Sequence, residues 1–119
     1  MIDDDDPLRE FVTEALRRER YNVLSASTAD GALRLLEQNQ VNVVITDLIM
    51  PEKEGLETIV ELRRRYPKIK IIAMSGGGLG APWTNLKSAQ RLGASGILAK
   101  PFSRQELLSE VARLLGTKS

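Results

Sequence analysis

The 119-residue chain contains neither cysteine nor histidine. Without thiols there is no disulfide framework and no thiol chemistry. Without imidazole, zinc sites and histidine-based triads are largely excluded. Charge of one sign is also missing in bulk: the formal net charge is +1, so no overall field argues for nucleic acid or a membrane surface. No apolar run approaches the ~20 residues of a membrane span, and no signal peptide precedes the first acidic residues, which makes the cytoplasm the default location. Repeats, linkers and low-complexity tracts are absent as well. The length suits a single domain, 1–119, with one core.

What is present is unevenly distributed. Four of the 16 acidic residues, Asp3, Asp4, Asp5 and Asp6, stand together behind Met1 and Ile2. Helical spacing of Leu8, Phe11, Val12, Ala15 and Leu16 predicts a helix from Pro7 to about Arg20, with the proline in its first turn. Tyr21–Ala26 reads as a short strand. Ser27 or Thr28 suits the cap of a second helix carrying Ala29, Ala32, Leu33 and Leu36. Val41–Thr46 is a β-branched run typical of a strand covered on both faces. Gly55–Tyr66 reads as a helix with Leu56, Ile59, Val60 and Arg63 on one side, closed by Pro67. Lys70–Met74 is another strand, followed by a glycine-rich loop and a helix from about Pro82 to Leu92. Ser95–Ala99 is the last strand, and Ser103 caps a final helix bearing Leu107, Leu108, Val111, Leu114 and Leu115.

Strands that alternate with helices form a parallel sheet covered on both faces, and ligands bind beyond the carboxyl ends of such strands. The residues just after each apolar strand are therefore the ones to read for chemistry. They are Asp3 and Asp4, then Asp47, then Ser75, then Lys100 with Pro101 behind it. Each has a bland reading by itself. An aspartate or serine after a strand is usually a turn residue or cap, a lysine is usually solvated, and an acidic run is usually a frayed terminus or solvated face. As a set they make a coherent site. Clustered carboxylates bind a hard cation such as Mg²⁺ through oxygen. The cation and an ammonium offset phosphoryl charge while a hydroxyl donates to an oxygen. One carboxylate can serve as the nucleophile and form an aspartyl phosphate.

The segments DDDDPLREF, VVITDLIMPEKEGLE, IIAMSG and GASGILAKPF resemble, in order and spacing, the signature segments of the response-regulator receiver domain of two-component signalling. DLIMP resembles the phosphoacceptor motif and KPF the lysine–proline–aromatic motif. The resemblance implies a flavodoxin-like α/β fold, a three-layer sandwich with a parallel five-stranded sheet in the order 2-1-3-4-5 and helices on both faces. It implies that Asp47 is the phosphoacceptor. Asp3, Asp4 and Asp47, with the main-chain carbonyl of Ile49, would hold Mg²⁺; a register slip would make the acidic pair Asp4 and Asp5. Ser75 matches the hydroxyl that turns toward the phosphoryl group, and Lys100 the lysine that contacts its oxygens. The Lys100–Pro101 bond is expected to be cis. The implied partner is a sensor histidine kinase or phosphotransfer protein, with a downstream protein target that the sequence does not identify. Direct nucleic-acid or membrane binding is not expected, nor is an enzyme acting beyond its own phosphorylation and dephosphorylation. The reading of 1–119 as a single receiver domain carries the expectation of no output domain within these residues.

Three departures stand out. Ile97 occupies the switch position that is usually tyrosine or phenylalanine. The segment between Ser75 and Lys100 is a few residues longer than the common form and carries Gly76, Gly77, Gly78 and Gly80. Ile49 and Gly77 offer no polar side chain to a hydrolytic water, so a phosphoryl group on Asp47 is expected to persist. The rival dinucleotide-turn reading of Gly76, Gly78 and Ala81 is weak, since such a turn belongs on the first strand–helix unit. Arg63, Arg64 and Arg65 read as a solvated helix face. An alternative function keeps the fold but not the chemistry: a receiver-like protein-interaction module without phosphoryl transfer.

The two residues before the aspartates are also few for a central strand. A short first strand leaves backbone groups on both neighbours without partners. The expectation is a stunted first strand, completed by a segment upstream of Met1 or by a homodimer.

Overall fold

A computed structural model describes residues 1–2, 5–47, 55–75 and 93–116, with only the backbone of Leu56 and Ser75. Asp3, Asp4, Ile49, the glycine loop with its dinucleotide-like turn, and the helix expected over Pro82–Leu92 lie outside these residues. Four helices and three strands are described, in the order α1 (Asp6–Arg18), α2 (Ala29–Gln38), β1 (Val43–Asp47), α3 (Gly55–Arg65), β2 (Lys70–Ser75), β3 (Gly96–Ala99) and α4 (Arg104–Leu115).

The helix starts follow from short polar side chains that satisfy otherwise orphaned N–H groups. Asp5 accepts from the Leu8 N–H at the head of α1, with proline in the first turn. Thr28 accepts from Gly31 at the head of α2. Ser103 and Glu106 form a reciprocal capping box at the head of α4, and Gly116 ends that helix in the left-handed conformation.

The three strands are parallel in the order β1-β2-β3. Outside β1 lies a stump. Ile2 bridges in parallel to Thr46 on one side and to Ala26 on the other. The pieces therefore lie in the expected 2-1-3-4-5 order, but among the described residues only three form regular strands. Tyr21–Ala26, read from sequence as a strand, bridges the sheet only at Ala26 among the described residues.

Two apolar layers sandwich the sheet. On one face α2 and α3 pack Ala32, Leu33, Leu36, Ile59 and Leu62 against Ile2, Val44, Ile71 and Ala73. On the other, α1 and α4 pack Val12, Leu16, Leu107 and Val111 against Ile45, Ile72, Met74 and Leu98. Burying the large apolar side chains of each layer is the main force that holds it together. Two readings of helix faces change. Val60 is exposed, and the buried stripe of α3 is Thr58, Ile59 and Leu62. Arg63 is not on a solvated face: its guanidinium donates to the carbonyls of Pro67, Ile69 and Gly93, tying α3 to the chain before β3. Gly93 has φ +125°, and a Cβ there would meet the Arg63 Nε at 2.9 Å.

Candidate functional site

The carboxyl rim of the sheet is set by register. Asp47 ends β1 opposite Met74, and Ser75 ends β2 opposite Ala99, the residue before Lys100. The strand run that precedes Asp47 is buried from Val44 onward, so the aspartate emerges from the core at a fixed point. Its backbone is held as well. The Asp47 N–H donates to the Ile2 carbonyl at 3.0 Å, and the Thr46 hydroxyl donates to the Asp47 carbonyl at 3.2 Å.

The side chain of Asp47 is nearly sealed, at 8% exposure, and its Oδ2 lies 3.0 Å from the Lys100 Nζ, which is itself 21% exposed. A charge this buried needs a partner, and across 53 residues of sequence the fold delivers one. The Lys100–Pro101 peptide is cis. Chemically the pair is an anionic oxygen nucleophile beside an ammonium at the mouth of a parallel sheet, an arrangement suited to accepting a group that carries negative charge.

The remaining expected site residues are placed as follows. The backbone of Ser75 reaches the same rim, while its side chain, Asp3, Asp4 and the Ile49 carbonyl lie outside what is described. Asp5, the alternative member of the acidic pair, caps α1. Ile97 is half-buried against the α2–α3 layer, on β3, with β2 between it and the strand of Asp47. The expected donors for a metal ion are all oxygens, which fits a hard cation. The hydrogen bond from Asp47 to Ile2 fits too, since Asp3 is the next residue after Ile2. Arg63 was missed as a structural clamp: helical spacing sets it on the side of Ile59, but a run of three arginines reads as solvated, and its Gly93 carbonyl partner lies 30 residues away.

The profile of the family described as the response regulator receiver domain matches residues 1–112. Among curated proteins, the DNA-binding transcriptional regulator NtrC of Azospirillum brasilense is 35% identical over the whole of this chain, which spans 24% of that protein. The transcriptional regulatory protein CpxR of Klebsiella pneumoniae is 33% identical over 97% of this chain and 47% of its own length. The chain thus spans less than half of these relatives. Among solved structures, the receiver domain of NtrX from Brucella abortus superposes with a TM-score of 0.91 at 27% identity, covering 98% of this chain and 97% of that one. A receiver domain from Clostridium thermocellum superposes at 0.88 and 28% identity. These likenesses carry the flavodoxin-like assignment of the fold.

Proposed function

The chain belongs to the response-regulator receiver family, and from that premise we propose that it accepts a phosphoryl group on Asp47 from a sensor histidine kinase or phosphotransfer protein. The observation that carries the reading is the sealed Asp47–Lys100 pair at the carboxyl rim. An Asp47 carboxylate oxygen attacks the phosphorus of a phosphohistidine. The new O–P bond forms as the P–N bond breaks, and the imidazole nitrogen leaves with the electron pair. Lys100 first holds the carboxylate in place and then follows the charge onto a phosphoryl oxygen, to which the Ser75 hydroxyl also donates.

Asp3, Asp4, Asp47 and the Ile49 carbonyl would hold Mg²⁺, which when bound supplies charge neutralisation for the incoming group. The capping role of Asp5 supports Asp3 and Asp4 as the acidic pair. The domain acts on itself alone, through its own phosphorylation and dephosphorylation. Signalling would run through a conformational change relayed without an aromatic ring, because Ile97 holds that place.

The test is incubation with Mg²⁺ and acetyl phosphate followed by mass spectrometry. One phosphoryl group should appear on Asp47, and none on Asp47→Asn. A folded protein that gains no mass, with or without a kinase, would favour a protein-interaction module that works without phosphoryl transfer.

A further inference from the structure

Lys100 reaches Asp47 from a short strand. β3 is four residues long, and among the described residues it is paired on one edge only. Its first residue, Gly96, has no side chain to pack, and its last, Ala99, is exposed. Ile97 and Leu98 are its two large side chains, one in each apolar layer. They resist a slip by a whole residue, which would exchange their faces. A glycine-containing edge strand with two anchors is still loosely held against tilt and small shifts along its axis. Lys100 follows Ala99 directly, so any such movement carries to its ammonium.

The start of β3 is held from a distance. Arg63, in the last turn of α3, donates through Nη1 to the Pro67 and Ile69 carbonyls at 2.8 and 2.9 Å. Its Nη2 donates to the Gly93 carbonyl at 2.6 Å. One planar fork thus joins the end of α3, the turn into β2 and the approach to β3. The Gly93 backbone is shaped to the fork: its φ is +125°, and a Cβ would crowd both the Arg63 Nε and Cγ, at 2.9 and 3.2 Å. Two residues later the Ser95 N–H donates to the Ile71 carbonyl at 2.7 Å, and the Ser95 hydroxyl accepts from the Ile71 N–H at 3.3 Å. From there the ladder runs unbroken, Ile72 opposite Gly96 through Ser75 opposite Ala99. A restraint at Gly93 therefore fixes where the strand begins and, through the ladder, where it delivers Lys100.

We propose that Arg63 is a positioning residue for the phosphoryl-transfer site, holding β3 by the Gly93 carbonyl so that Lys100 meets Asp47 in one geometry. Its effect on rate rests on the reading of Asp47 as phosphoacceptor; its effect on the Asp47–Lys100 pair does not. The lysine stem is flexible, so loosening β3 does not abolish the 3.0 Å contact but widens the set of positions the ammonium visits. Rates respond sharply to such spread, since a misplacement of about 1 Å caused far from the chemistry can cost up to a hundredfold.

The test reads the full chain with Arg63→Gln in two ways. With Mg²⁺ and acetyl phosphate, the rate of phosphoryl gain on Asp47 per folded molecule should fall about tenfold. In the Lys100→Met background the same change should slow the remaining reaction no further, because Arg63 acts through that lysine. Arg63→Lys keeps a charged donor without the fork and should recover part of the rate. Arg65→Gln removes an exposed arginine of the same helix, paired with Glu61, and should leave the rate unchanged. The second reading needs no phosphoryl transfer. Urea unfolding of the Asp47→Asn and Lys100→Met double-mutant cycle should lose at least half its coupling once Arg63→Gln is added. If the native chain gains no phosphoryl group, the phosphoacceptor reading fails by itself and this coupling decides the role of Arg63. Should Arg63→Gln not fold, Arg63→Lys carries both readings with a smaller loss in each. A variant that melts lower yet keeps the native rate and coupling would make the clamp merely structural and overturn the proposal. So would an equal loss of rate in Arg65→Gln, or a further tenfold slowing in the Lys100→Met background.

Discussion

At its carboxyl end the sheet finishes in Asp47, Ser75 and Ala99 in register, and an ion pair nine-tenths sealed on the aspartate side closes the rim. At its amino end the segments around β1 flank an open cleft beside Met1. One ladder runs through both ends, and the difference lies in what completes it. Where the backbone of Ile2 joins β1, the ladder is satisfied and a charged side chain can be held in one geometry. Beside Met1, residues of both layers, Leu16 and Val111 on one and Ala32 and Leu36 on the other, border the cleft. The comparison teaches that the rim end of β1 is fastened to its neighbour by backbone, through the hydrogen bond from the Asp47 N–H to the Ile2 carbonyl.

The largest effect comes from deleting the same side chain at each place. Ile72 is fully buried in the centre of β2, with Val12, Met74, Leu98 and Leu107 in the same layer. Ile72→Ala should cost ~4 kcal/mol, near the top of the range for such deletions, because a close-packed site collapses little. Ile2 is equally buried at 1% exposure but borders the cleft. Ile2→Ala should cost ~2 kcal/mol, since its neighbours have room to relax into the new space. Urea titrations of the two variants check this. Equal costs would mean that the amino end is packed as tightly as the centre.

Much of this was legible in the sequence. The apolar stripe of α2 was read residue for residue, and Thr28 and Ser103 announced their helices, because a cap and a 3.6-residue period are local signals. Asp47 and Lys100 were found from their places after apolar runs, and the fold then joined them. Other features depend on partners far along the chain. Tyr21–Ala26 has strand composition, but its one bridge among the described residues is Ala26 to Ile2, a pairing that local composition does not encode. Arg63 turns inward only because the carbonyls of Ile69 and Gly93 converge on it. Val60 is apolar yet exposed, which periodicity on α3 did not distinguish from Ile59.

A smaller effect sharpens the rim side of the comparison. Lys100→Met leaves the nearly buried carboxylate of Asp47 without its ammonium, a loss of ~2 kcal/mol after allowance for the water that reaches a lysine one-fifth exposed. Asp47→Asn in the same background should recover most of it. The measured coupling in the double-mutant cycle is expected at ~1 kcal/mol or more. Simple additivity would mean that the two groups meet in the fold without holding each other.

The smallest effect belongs to the cleft and shows as pH dependence. Burial lowers the Met1 amine from 8.0 to about 6 in the folded chain. An unfolded chain therefore binds more protons than a folded one between those values, and stability must rise with pH across that window. Below pH 6 the amine is charged in both states and the full penalty applies; above 8 it is neutral in both and the penalty is gone. Two units correspond to ~2.7 kcal/mol, but Met1 is only half-buried and the cleft admits water, so ~1 kcal/mol is expected. The chain has no histidine, the one side chain that ordinarily titrates there, so the amine is read against a quiet background. Melting curves from pH 5.5 to 8.5 should rise for the native chain and stay flat for the same chain acetylated at Met1. A flat profile in both would show that water solvates the amine as freely as in the unfolded chain. The amino end would then be an open mouth, in contrast to the sealed carboxylate at the other end of the same ladder.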